Sequence, residues 1–120
     1  MTDQDQSPGE LLLRITRPEG AVVLSVGGDL DLLTAPSLDA EITKLLTDNP
    51  QALVLDLSGV PFFGSSALAV LIRAADTAAT RNVRLLLVAA NRAVLRPLEV
   101  TKTVQLFSIH DSVHSALATV

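Results

Sequence analysis

The chain has 120 residues, which fits one domain and leaves no room for a second core. A net charge of −4 provides no basic footprint for nucleic acid, and three Phe with no Trp or Tyr offer few platforms for stacking bases. Cysteine is absent, so disulfides, thiol catalysis and Cys-zinc sites are excluded, and the 48% hydrophobic content has to build an aliphatic core of Leu, Val, Ile and Ala.

Residues 1–10 (MTDQDQSPGE) are polar and carry Pro8-Gly9, which predicts a flexible N-terminus ahead of one folded domain over 11–120. That opening lacks a basic segment followed by an apolar one, and no apolar run nears the roughly 20 residues that span a bilayer. The expectation is a soluble cytoplasmic protein with no membrane insertion and no direct contact with nucleic acid. Leu11 to Thr16 reads as an edge strand, Pro18-Glu19-Gly20 as a turn, and Ala21 to Val26 as the second strand of a hairpin.

After Gly27-Gly28, a loop at Asp29-Leu30-Asp31 leads to Thr34, a candidate helix cap with Pro36 in the first turn, where a missing N–H costs nothing. Leu38, Ile42, Leu45 and Leu46 share one helical face, and Asn49-Pro50 ends the helix. Ala52 to Leu57 (ALVLDL) and Val83 to Val88 are apolar without alternation, as central strands covered on both faces should be. Between them, Gly59 to Gly64 forms a turn-rich connection and Ser65-Ser66 opens a helix that ends at Asn82. Arg92 to Val100 is a short helix with Pro97 inside, Gln105 to Ile109 a short strand, and Asp111 the cap of a last helix carrying Val113, Ala116 and Leu117. The predicted fold class is α/β: a mixed, mostly parallel sheet of about five strands that begins with a hairpin, with about four helices packed on it.

The segment that opens at Ser65 is the most informative. A buried strand delivers the chain through a tight loop to a helix N-terminus, where unpaired N–H groups and the helix dipole favour an anion. A hydroxyl placed there is ready for phosphorylation, which adds about two negative charges. On spacing alone, Ser65-Ser66 is more often an ordinary helix cap, since caps are routine and phosphorylation sites few. At about 100° per residue, Leu68, Leu71, Ile72, Ala75 and Ala79 are expected to face the sheet, leaving Ser66, Ala69, Val70, Arg73 and Thr77 outside. That outer stripe is small and partly apolar; it suits close approach by a partner and equally a mildly apolar surface.

Catalytic signatures are missing. Gly64-Ser65-Ser66 is not a Gly-x-Ser-x-Gly elbow, and the 59–64 loop has no Gly-Lys-Ser/Thr for a phosphate cradle. His110 and His114, read as spanning the start of the last helix, have no evident third metal ligand. The expectation is no catalytic residue, no cofactor and no metal.

These segments resemble the STAS family of anti-sigma factor antagonists. Gly28-Asp29-Leu30-Asp31-Leu32-Leu33-Thr34-Ala35-Pro36 is similar to the family's strand-to-helix motif. Leu55-Asp56-Leu57-Ser58-Gly59-Val60 with Phe62, Ser65, Ser66 and Leu68 is similar to its phosphorylation loop, and Leu98, Val100-Thr101, Val104, Leu106-Phe107, Ile109 and Ser112 to its closing pattern. The resemblance implies the STAS fold and an antagonist that binds an anti-sigma factor serine kinase and so releases a sigma factor. Phosphorylation by that kinase switches the antagonist off, and a serine phosphatase restores it. The acceptor carries over to Ser65, and the contact surface to Asp29, Asp31 and Thr34 with Ser66, Ala69, Val70 and Arg73 on the helix. Gly64 stands where the family usually has Asp, and Ala67 where Gly is usual. The first departure leaves an alternative open, a non-catalytic STAS scaffold or transporter-regulating module that is not phosphorylated.

Overall fold

The computed structural model describes residues 11–120; the N-terminus expected to be flexible lies outside the described residues. Strand β1 (Leu12–Thr16) pairs antiparallel with β2 (Ala21–Gly27), and the hairpin closes through the Ala21 N–H donating to the Pro18 carbonyl at 2.9 Å. Strands β3 (Ala52–Gly59), β4 (Arg84–Val88) and β5 (Ser108–His110) then add in parallel, giving the order β1-β2-β3-β4-β5. Helices α1 (Ala35–Thr47), α2 (Ser65–Thr80) and α3 (Arg92–Val100) connect them, and α4 (Val113–Leu117) closes the described chain.

The two faces of the sheet carry unequal cores. Val22, Leu24, Leu53, Leu55 and Leu57 face α1, α2 and α3, whereas Val23, Val54, Leu86 and Val88 face the other way, toward Ala116 on α4. Both parities of β3 are therefore buried, the physical reason its sequence shows no alternation. On α1 the buried residues include Leu38, Ile42, Leu45 and Leu46, the face expected from periodicity.

Helix α2 departs from expectation. Its buried residues are Ala67, Val70, Leu71, Ala74 and Ala78, while Ile72 and Ala79 are exposed and Leu68 and Ala75 half-buried. A wheel centred on the largest side chains assumes that one surface, the sheet, decides burial. Here α2 also packs beside α1, and small Ala side chains allow close approach, so the buried arc rotates toward that neighbour. Val70, expected on the outer stripe, is 2% exposed.

Two further boundaries move. The expected strand over residues 105–109 is a 3₁₀ turn at Val104–Leu106 followed by β5. Lys102 takes a positive φ of 61°, and the Thr103 N–H donates to the Leu98 carbonyl at 3.0 Å, so the chain folds back on α3 before it extends. Ser112, rather than Asp111, caps α4, its hydroxyl accepting from the Ser115 N–H at 3.0 Å.

Leu55 lies on the central strand with 0% exposure, facing the three-helix side. Leu55→Ala is expected to lower the unfolding free energy by about 2–5 kcal/mol in urea denaturation, the range for a buried leucine whose cavity cannot collapse.

Candidate functional site

The loops that follow β2 and β3 are bound to each other by backbone hydrogen bonds. Between Ser25/Asp56 and Gly27/Gly59 the register of β2 and β3 shifts, leaving an extra residue on β3. A Cβ on Gly59 would lie 3.1 Å from the Val26 carbonyl oxygen, so this irregularity depends on a residue with no side chain. Beyond it the Gly28 N–H donates to the Gly59 carbonyl at 3.1 Å, the Leu30 N–H to Phe62 at 2.8 Å, and the Gly64 N–H to Leu30 at 2.8 Å. Leu30 and Phe63 form a parallel bridge. The Asp29–Thr34 loop and the segment leading to Ser65, marked separately in the sequence, thus form one surface.

Within the first loop the acidic and hydroxyl side chains are occupied internally. The Asp31 carboxylate accepts from the N–H groups of Leu33 and Thr34, both at 3.0 Å. The Thr34 hydroxyl donates to the Asp29 carbonyl at 2.7 Å and accepts from the Asp31 N–H at 3.0 Å. Thr34 precedes the first helical residue, yet its side chain does not cap α1; the Asp31 carboxylate instead closes the turn that leads into the helix. With 4% exposure Thr34 shapes the loop rather than offering a contact, which corrects its expected place on the surface. Asp29 is exposed.

The apolar side chains displayed by this loop are Leu32 and Leu33, 76% and 79% exposed, and the following loop adds Phe62 at 51%. Sequence reasoning missed all three. The available signal was a Leu-Leu pair in a segment that fits neither a helical nor a strand period.

Ser65 is the first residue of α2 and is exposed. Among the described residues its N–H and that of Ser66 have no hydrogen-bond partner, while the Ala67 and Leu68 N–H groups both reach the Gly64 carbonyl at 3.1 Å. Gly64 occupies the cap position in an extended conformation open to any residue, φ −93° and ψ 178°. A Cβ there would meet the Phe62 ring at 3.2 Å, so the ring rests in the space a side chain at Gly64 would need.

Beside Ser66 a cleft of about 290 Å³ separates α1 from α2. Ser66, Ala69 and Arg73 line it from α2, Val70 lies at its base, and Leu32 borders it. Arg73 pairs with Asp39 across the cleft at 3.2 Å, an exposed ion pair of the kind that contributes about 0–1 kcal/mol. Of the expected contact residues, Asp29, Ser66, Ala69 and Arg73 lie on this accessible surface with Ser65, Asp31 is half-buried with its carboxylate turned to the loop's own N–H groups, and Thr34 and Val70 are buried beneath it.

The histidines are not paired on a helix. His110 ends β5 with its Nε2 3.1 Å from the Ser108 hydroxyl, and His114 is exposed on α4. Among the described residues no cluster of His, Cys, Asp or Glu is arranged to hold a metal, and no helix is long and apolar enough to cross a membrane.

A profile of the STAS domain matches residues 13–116. The chain belongs to the STAS domain family. This STAS domain is 33% identical over 111 residues to the anti-sigma-F factor antagonist RsfB of Mycobacterium tuberculosis, covering 92% of the chain and 90% of that protein. It is 30% identical to the anti-sigma-F factor antagonist RsfA of the same organism, over 87% of the chain and 83% of that protein. The crystal structure of an anti-sigma factor antagonist from Mycobacterium paratuberculosis superposes with a TM-score of 0.88 at 32% identity, covering 95% of this STAS domain and 97% of that chain.

The hydrogen bonds assign different work to the two aspartates of the first loop. Asp31→Ala is expected to cost about 1–2 kcal/mol in stability, in line with loss of hydrogen bonds from two backbone N–H groups to one carboxylate. Asp29→Ala is expected to change it by less than about 0.5 kcal/mol. Paired urea titrations check both.

Proposed function

We propose that this protein is an anti-sigma factor antagonist: it captures an anti-sigma factor serine kinase on the surface around Ser65, frees the sigma factor, and is switched off by phosphorylation of Ser65. The observation that carries this reading is an exposed serine at the start of α2, set among exposed Leu32, Leu33 and Phe62 on two mutually bonded loops. Apolar side chains left in water at that density are suited to being covered by another protein.

The same geometry accounts for a switch without a large conformational change. Unmodified, the Ser65 hydroxyl is small enough to lie within a close contact. A phosphate at Ser65 adds about two negative charges, which the unpartnered N–H groups of Ser65 and Ser66 and the helix dipole stabilise in the free protein. Within a contact the charge would be stripped of water, a penalty of several kcal/mol unless it is paired. Since about 1.4 kcal/mol is tenfold in affinity, one phosphate suffices to release the partner, and a serine phosphatase makes the capture repeatable.

Incubation with a panel of anti-sigma serine kinases and ATP, followed by mass mapping, is expected to place phosphate on Ser65 and to find none on the Ser65→Ala variant. Phosphate on another residue at undiminished yield, or capture by no member of the panel, overturns the reading. Leu32→Asp and Leu33→Asp are expected to weaken capture about tenfold or more while leaving the unfolding free energy in urea within about 0.5 kcal/mol of wild type. Gly64→Asp, which requires only that the Phe62 ring yield, is expected to raise the initial rate of phosphorylation.

A further inference from the structure

A groove that shares no lining residue with the α1–α2 cleft runs along α3. Phe62 and Phe63 border it from the β3–α2 loop, and Arg92, Arg96, Pro97 and Val100 from α3, around a volume of about 390 Å³. Binding clefts usually enclose about 300–1,000 Å³. Phe63 is buried at its base, whereas Phe62 and Val100 are 51% and 67% exposed at its rim. Pro97 lies inside α3 and has no N–H to donate to the Ala93 carbonyl one turn back; both residues line the groove.

The charge on this surface has one sign. Arg92 and Arg96 stand one helical turn apart, both exposed, and neither forms an ion pair among the described residues. Glu99 lies on α3 but not along the groove. Two cations are therefore gathered over an apolar floor on a chain whose net charge is −4. Such a surface complements a segment that inserts large apolar side chains and carries carboxylates at their flanks.

We infer that the α3 groove is a second docking surface, which takes an acidic amphipathic helix of a protein partner. It stands apart from the Ser65 reading, because neither its shape nor its charge depends on whether Ser65 accepts phosphate.

The test titrates the isotope-labelled full chain with a synthetic amphipathic peptide bearing Leu on one face and Glu on the other, observed by amide NMR. The amides of Ala93, Arg96 and Val100 are expected to shift, and Lys in place of every Glu is expected to abolish the shifts. An Arg92→Glu, Arg96→Glu double variant is expected to bind the acidic peptide about tenfold or more weakly. Val100→Ser, which leaves both arginines in place, is expected to weaken it as well. Shifts confined to the α1–α2 cleft, equal affinity for the Lys peptide, or undiminished binding by the double variant overturns the inference. So does binding of phosphatidylglycerol vesicles through the same arginines when the acidic peptide is refused, since the surface would then be one for lipid. The Lys-peptide comparison decides the matter on the unaltered protein even if the double variant does not fold.

Discussion

Three backbone hydrogen bonds hold the site together: Gly28 to Gly59, Leu30 to Phe62, and Gly64 to Leu30. They carry the pairing of β2 and β3 from the last residue of β3 into the loops that follow both strands. Backbone amides left unpaired so near the core would each be costly, and the two loops satisfy one another instead of relying on water. The consequence is positional. Ser65 and the Leu32-Leu33 pair, separated by more than thirty positions in sequence, are fixed on one rigid surface. Asn91 adds a third anchor, its side-chain N–H donating to the Val60 carbonyl at 2.8 Å, and so ties the start of α3 to the same connection.

On the proposed function, this bonding limits what kind of switch the protein would be. A mobile loop would be ordered or melted by a phosphate; a surface already ordered by its own hydrogen bonds has little left to rearrange. Under that proposal the change on modification would be one of charge and size at the contact, with the free protein holding the phosphate on unpartnered N–H groups at the start of α2. Asp31 and Thr34 keep the first loop in shape, and the exposed leucines are the surface that a partner would cover in the proposed reading.

Much of this was legible in the residues. The apolar runs of β3 and β4 gave central strands because both faces of each are covered, and the face of α1 followed its periodicity because Leu38, Ile42, Leu45 and Leu46 turn to one core. Ser65 was legible as a helix start because a turn-rich loop precedes it. The face of α2 was not, since periodicity identifies an apolar stripe without saying how a neighbouring helix shares its burial. Nor could the sequence separate Asp29 from Asp31: both are acidic residues in one loop, and only the backbone path puts the second carboxylate within reach of two N–H groups. The Leu32-Leu33 pair went unnoticed for the opposite reason, because exposed leucines in a loop follow no period at all.

Gly64 is the point where this chain tests the account. The extended backbone there accepts any residue, so the glycine reflects the seat taken by the Phe62 ring and not a conformational demand. The most direct measurement is the affinity of the captured anti-sigma kinase for two stoichiometric preparations of the full chain, unmodified and phosphorylated at Ser65, by calorimetric titration. The account predicts that the phosphorylated form binds at least about tenfold more weakly, equivalent to about 1.4 kcal/mol. Equal affinity of the two forms would contradict it.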